Sequence, residues 1–201
     1  MVDMNLEIKP EIEATFVNID KDALRKRLRE LGGELLQEET LMKRTVFATG
    51  EQSFARVRDE GNCITMSYKR QDSATLSGMK EICLKVNNYD DAVDFMKALA
   101  VKVKSEQETL REEWLLDGVE IDIDTWPWLP TFVELEGPSE KSVEEVTEKL
   151  DFVMDEAIFG SVDDIYKIYY DVTNHEVNQE WREIKFGDGS VPEWLEKRRR
   201  K

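Results

Sequence analysis

Cysteine and histidine are scarce: Cys63, Cys83 and His175 are the only ones in 201 residues. Two separated thiols beside a single imidazole form no zinc-ligand pair, and so few cysteines read as reduced core residues rather than as a disulfide framework. Long apolar runs are also missing. No stretch approaches the roughly 18 apolar residues that a membrane-spanning helix needs, and the opening MVDMNLEIKPEIE has neither the basic start nor the apolar centre of a signal peptide. The expected location is the cytoplasm, with no membrane partner. Positive charge is short as well. Against 44 Asp and Glu stand 28 Lys and Arg, a formal net charge of −16 that repels nucleic acid and anionic lipid. No nucleic-acid partner is expected, and an anionic ligand would need a local basic cluster. The one dense basic run, Arg198 to Lys201, reads as a solvated terminal tail.

Acidic residues, in contrast, are plentiful and patterned. In Glu120 to Glu136, EIDIDTWPWLPTFVELE, the acids Glu120, Asp122 and Asp124 alternate with Ile121 and Ile123, and Glu134 and Glu136 alternate with Val133 and Leu135. Period two predicts two strands, joined by a Trp-Pro turn, with the carboxylates on like faces. Acids that converge repel unless a cation or basic side chains lie between them, which favours a bound divalent metal. A wet outer sheet face shows the same alternation, so the pattern alone leaves both readings open. Trp126 and Trp128, flanking Pro127, are expected to pack over the end of the sheet rather than stack on a base.

Glu11 to Phe16 reads as a strand with a second paired-acid face. Asp20 is placed to cap a helix through Leu31, ended by Gly32-Gly33. Strands follow at 40 to 50, around Arg56 and Arg58, around Thr65, Ser67 and Lys69, and over 80 to 86. Asp90 is then expected to cap a helix to about residue 100. Residues 101 to 116 read as strand broken by the charged SEQE. Ser142 with Glu145 reads as a capping box, and Ser161 with Asp164 starts a helix whose Ile165, Ile168 and Tyr169 share a side. About eight strands with amphipathic helices predict an α+β fold in which an antiparallel sheet curls into a barrel, helices outside.

The inward candidates are of both signs, with acids Glu11, Glu13, Asp122, Asp124, Glu134 and Glu136 and bases Arg56, Arg58, Lys69 and Arg111. Buried charges need partners. A metal on the acids and a polyphosphate on the bases would satisfy both sets, since Arg suits phosphate oxygens and Mg²⁺ shares carboxylates with substrate phosphates.

These residues resemble the CYTH, or triphosphate tunnel metalloenzyme, family, which includes class IV adenylyl cyclases, thiamine triphosphatases and inorganic triphosphatases. The family's opening Glu-x-Glu-x-Lys looks like EIEAT, its Arg-x-Arg like FARVR, and its Thr-x-x-x-Lys like TMSYK ending at Lys69. Its late Lys-x-Arg resembles TLREEW around Arg111, and its Asp followed by Glu-x-Glu resembles Asp124 with FVELE. The resemblance covers about residues 7 to 170 and implies an eight-stranded antiparallel tunnel over 1 to 172, with 173 to 201 as a C-terminal extension and a homodimer left open. It implies Mg²⁺ or Mn²⁺ on Glu11, Glu13, Asp124, Glu134 and Glu136, and a triphosphate on Arg56, Arg58, Lys69, Arg111 and Glu81. Glu11, Glu13 and Arg111 are the catalytic candidates.

The sequence departs from the family pattern in several places. Thr15 and Thr109 stand where lysines are expected, and Met79 and Cys83 flank the retained Glu81 where Arg and Glu are frequent. Lys80, Lys85, Lys102 and Lys104 are nearby substitutes. The implied activity is hydrolysis of an inorganic or organic triphosphate. Cyclisation of ATP to cyclic AMP, or binding of a polyphosphate or nucleotide without turnover, are the alternatives. Six retained acids favour the enzyme, the missing lysines favour the binder, and the lack of a recognisable purine pocket favours hydrolysis over cyclisation.

Overall fold

The computed structural model describes residues 9–200. The extended stretch at its start forms β1 (Lys9–Glu11) and β2 (Glu13–Phe16), interrupted at Ile12. Two antiparallel meanders follow: β3 (Glu34–Ala48), β4 (Ser53–Asp59), β5 (Ile64–Gln71) and β6 (Met79–Val86), then β7 (Lys102–Leu116), β8 (Val119–Thr125) and β9 (Phe132–Glu136). The strand order is β1-β6-β5-β4-β3-β7-β8-β9-β2. It therefore begins and ends on the same piece of chain, and the sheet comes round on itself through the backbone at Ile12 rather than through a continuous ladder. There the Gly137 N–H donates to the Ile12 carbonyl, and the Glu13 N–H to the Leu76 carbonyl, each at 3.0 Å. With β1 and β2 taken as one broken strand, the long antiparallel strands match the expected architecture, and a short β10 (Glu183–Ile184) adds to β7 in parallel.

Two strands run further than the sequence pattern predicts. β3 starts at Glu34 rather than residue 40, and β7 passes unbroken through SEQE. The reason is mutual: these two pair from Glu34 with Leu115 to Ala48 with Lys102, and three register slips, between Leu35 and Gln37, Gln37 and Thr40, and Val46 and Phe47, absorb the mismatch. Long-range pairing overrides a local run of charge.

The helices lie outside. α1 (Lys21–Glu30) starts as expected at Asp20, whose carboxylate accepts the Asp22 and Ala23 N–H groups at 3.0 Å. α2 (Tyr89–Ala98) is capped by Asn88, not Asp90, which instead sits in the first turn where its charge favours the helix dipole. α3 (Glu140–Lys149) starts one turn earlier than expected, with its capping box made by Ser139 and Ser142 rather than by Ser142 and Glu145. In α4 (Val162–Tyr169) the Ser161 hydroxyl donates to Asp163 at 2.6 Å instead of capping, and the buried side runs through Ile165 and Tyr166 while Ile168 is 42% exposed. A short α5 (Glu193–Glu196) follows near the end.

The apolar sides of β4, β8 and β9 face these helices, whereas Leu35, Leu36 and Leu41 on β3 and Ile82 and Leu84 on β6 are exposed. Leu24, Leu28, Val143 and Val146 pack on Ile121, Ile123, Val133 and Leu135, while α2 covers Phe47, Ala55 and Val57. A third cluster joins Trp126, Tyr166 and Tyr170 to Trp181 and Leu195. As far as the described residues go, the basic run is thus not a free tail: Arg198 pairs with Glu176 at 2.5 Å, and the Arg199 guanidinium lies 5.1 Å from the Tyr170 ring centre, while Lys201 lies outside them. No helix among the described residues is long and apolar enough to cross a membrane. With the apolar faces turned outward to the helices, the alternate, polar side chains are directed inward.

Candidate functional site

Inside the curled sheet lies a cavity of about 650 Å³, lined by every residue that the sequence singles out as a site residue. Strand pairing places them. Glu13 lies opposite Glu136, Glu134 lies between Thr15 and Asp122, and Arg111 pairs with Asp124, so the acids of β2, β8 and β9 share one wall. Arg56 and Arg58 on β4 share the inner face with Ser67 and Thr65, their β5 partners. Lys69 lies opposite Glu81.

Most of these charges are matched to one another. The buried Arg111 donates to Asp124 and to Glu134 at 2.7 Å and also reaches Asp122. Burial opposes its charge, but Asp122 and Asp124 outweigh that and hold its pKa well above the usual guanidinium range. Lys69 donates to both Glu11 oxygens at 2.8 Å and lies 3.9 Å from Glu81. Arg58 pairs with Glu60 at 2.9 Å and Arg56 with Glu81 at 3.6 Å. Asp124, expected on the metal side, is thus an anchor for Arg111 in this structure.

Burial and crowding raise the acids. Desolvation pushes Glu11 up to about 8 against the attraction of Lys69, helped by a hydrogen bond shared with Glu81 and by Glu13. In Glu81, burial is outweighed by Lys69 and by that same bond, which hold it at about 2, so the pair retains one proton near neutrality. Glu13, Glu134 and Glu136 are raised as well, first by burial. The sign of the consequence is set by Glu11. Between its ordinary value of 4.5 and about 8 the folded chain keeps a proton that the unfolded chain has released, so stability falls as pH rises through that window. The metal-free protein is expected to melt at least about 5 °C lower at pH 8.5 than at pH 5.5, a pKa unit being worth about 1.4 kcal/mol and a kcal/mol about 2–4 °C at this size. Thermal scans across that range check it. A melting temperature flat or rising between those pH values would contradict it.

Three cavity residues escaped the sequence pattern or took another role. Arg44 lines the cavity from β3 and is 5% exposed. Adjacent Lys43 and Arg44 carry like charge, so period two could not choose which points inward. Trp126 is buried as expected of a packing residue, yet it also lines the cavity, with the Arg44 guanidinium 4.7 Å from its ring centre. Of the candidate substitute lysines, Lys104 reaches the cavity, while Lys80 pairs with Asp72 at 2.9 Å. Trp128 packs edge-on against Trp181 and Trp194.

The donor set offered to a cation is carboxylate oxygen throughout, which suits a hard ion such as Mg²⁺ or Mn²⁺. Glu13 and Glu136 face each other and form no ion pair among the described residues. No group of three or more acidic, His or Cys side chains is drawn into a closed metal cage among the described residues. The residues therefore fit an ion held by one or two carboxylates and completed by other oxygens, the usual habit of Mg²⁺.

Residues 9–169 match the CYTH domain. The chain belongs to the CYTH domain family. Among solved structures it is similar to the PH1012 protein of Pyrococcus horikoshii OT3, with 19% identity, a TM-score of 0.66, and coverage of 75% of this chain and 96% of that one. A candidate adenylate cyclase of Vibrio parahaemolyticus is 11% identical at a TM-score of 0.68, covering 80% of this chain and 99% of that one. HpAC1 of Hippeastrum, a candidate adenylyl cyclase described as having a dominant triphosphatase activity, is 12% identical at a TM-score of 0.52, covering 92% and 98%. At these identities the likeness is one of fold. No curated protein matches the chain.

Proposed function

We propose that this CYTH protein hydrolyses a triphosphate inside the cavity with the help of Mg²⁺ or Mn²⁺. One observation carries the reading: acids on β1, β2, β8 and β9 and guanidinium groups on β4 and β7 line one cavity, with Arg111 bonded to three of the acids. An anion entering beside Arg56 and Arg58 meets fork-shaped donors suited to phosphoryl oxygens, and Lys69 adds a point charge. Glu13 and Glu136, with Glu11 and Glu134 adjacent, would hold the divalent ion, which would supply charge neutralisation at the phosphate oxygens. Arg111 would stabilise charge on the transferring group, and Glu11, once Lys69 turns to the phosphate, would orient a water. The tunnel domain is taken as 1–172. Asn174, His175 and Asn178 of the 173–201 extension wall the cavity mouth beside Lys104. The setting proposed is the cytoplasm. Binding without turnover is the second reading, favoured by Thr15, whose place in register with Glu134 puts no charge on the acid wall.

Phosphate release from inorganic tripolyphosphate, with and without Mn²⁺, tests this; nucleoside and thiamine triphosphates are the other substrates to try. Slow, metal-dependent release is expected. Thr15→Lys should raise it by roughly 10-fold or more, because one charge-stabilising group is worth about 10²–10³ in such a site and an added one recovers part of that. If neither protein releases phosphate or forms cyclic AMP while both bind tripolyphosphate, the enzyme reading gives way to the binding one.

A further inference from the structure

All the arginines lining the cavity but one are matched to a carboxylate. Arg44 forms no ion pair among the described residues, although it is 5% exposed. Its Nη2 donates to the Thr109 hydroxyl at 2.6 Å and its guanidinium lies over Trp126. Its Nε is buried without a partner. The charges that act on it most strongly are mostly of its own sign, since Arg56, Arg58 and Arg111 all oppose its positive form more than Asp124 supports it. A guanidinium does not shed its proton in a protein, so this charge stays. A hydroxyl and an aromatic face fix its direction but neutralise nothing. A cation held rigid, dry and unmatched in a cavity is a preorganised anion site.

We infer that Arg44 is the anion anchor of the cavity, receiving the phosphoryl oxygens of a polyphosphate on a guanidinium oriented by Thr109 and Trp126. The inference rests on the triphosphate reading above. Arg56, Arg58 and Arg111 can bind phosphate only in competition with Glu81, Glu60 and the acids of β8 and β9, whereas Arg44 displaces nothing. It also gives Thr109 a reason. A lysine at 109 would set an ammonium against the guanidinium that Thr109 now meets at 2.6 Å, so the positive charge has moved one strand over, from β7 to β3.

Calorimetric titration with inorganic tripolyphosphate and Mn²⁺ at low temperature, where turnover is slow, tests this on wild type, Arg44→Met and the double variant Arg44→Met, Thr109→Lys. Arg44→Met is expected to weaken binding roughly 10- to 100-fold, the worth of one or two charge-assisted hydrogen bonds. Its ligand-free melting temperature should be equal to or above wild type, because an unmatched buried charge is gone. Thr109→Lys in that background should recover at least part of the affinity, a rescue that a merely structural Arg44 would not allow. Should Arg44→Met not fold, Arg44→Lys, which keeps the charge and loses the fork, is expected to bind less tightly at a similar melting temperature. Wild-type affinity in Arg44→Met, or in Arg44→Lys if that is the variant that folds, overturns the inference and leaves the triphosphate reading standing. No binding by wild type itself overturns both.

Discussion

Arg111→Leu is expected to be the most damaging single substitution in the cavity, lowering stability by about 3–5 kcal/mol. The side chain is buried and donates to Asp122, Asp124 and Glu134, on two neighbouring strands. Leucine leaves three acids crowded in a low dielectric with no counter-charge, and they can recover only by taking up protons. The loss should therefore shrink on acidification, because protonated acids no longer repel. Chemical denaturation of wild type and Arg111→Leu at pH 5.5 and pH 8.5 measures this. A loss below about 1 kcal/mol at both values, or one that grows toward low pH, would show that Arg111 is not what holds the acid wall together.

The second large effect has the opposite sign in stability. Glu13 and Glu136 face each other across β2 and β9, and neither forms an ion pair among the described residues, although the Lys69 ammonium acts on both from further off. Like charges directly opposite on a sheet destabilise it. Glu13→Gln with Glu136→Gln should raise the metal-free melting temperature by a few degrees, while metal-dependent phosphate release falls by about 10²–10³ or more. A protein that gains stability and loses catalysis from the same change is using the repulsion to hold a cation. Unchanged release from a stabilised double variant would move the ion elsewhere, to Glu11 or Glu134. Release assays and melting curves on one preparation distinguish the outcomes.

What was legible in the sequence was whatever obeyed period two. In Glu120 to Glu136 the alternation with Ile121, Ile123, Val133 and Leu135 showed which acids share a face but not whether that face is wet; helices packed on the apolar side decide it, turning Asp122, Asp124, Glu134 and Glu136 to the cavity while Glu120 stays exposed outside its lining. Arg56 and Arg58 were legible for the same reason, alternating with Ala55 and Val57. Adjacent Lys43 and Arg44 broke the alternation, so Arg44 was invisible until β3 was in register with β7. Partner choice was equally hidden. Arg111 and Asp124 are opposite one another in the β7–β8 pair and Lys69 and Glu81 in the β5–β6 pair, but nothing local says that Glu11 would join Lys69 or Glu134 would join Arg111, because those contacts need β1 to meet β6 and β9 to lie beside β8. Helix starts shifted for a smaller reason. Asn88 and Ser139 compete with Asp90 and Ser142 as caps, and the choice falls on the residue whose backbone is extended where the helix begins.

The central claim, that acids and bases of one cavity share a divalent ion and a triphosphate, is tested most directly by titrating inorganic tripolyphosphate into the wild-type protein with and without Mn²⁺. The account predicts one tripolyphosphate per chain, bound at least about 10-fold more tightly with Mn²⁺ present, because the ligand's oxygens complete an ion shell that Glu13 and Glu136 leave open. Binding of equal strength without the metal, or no heat of binding in either case, would contradict it.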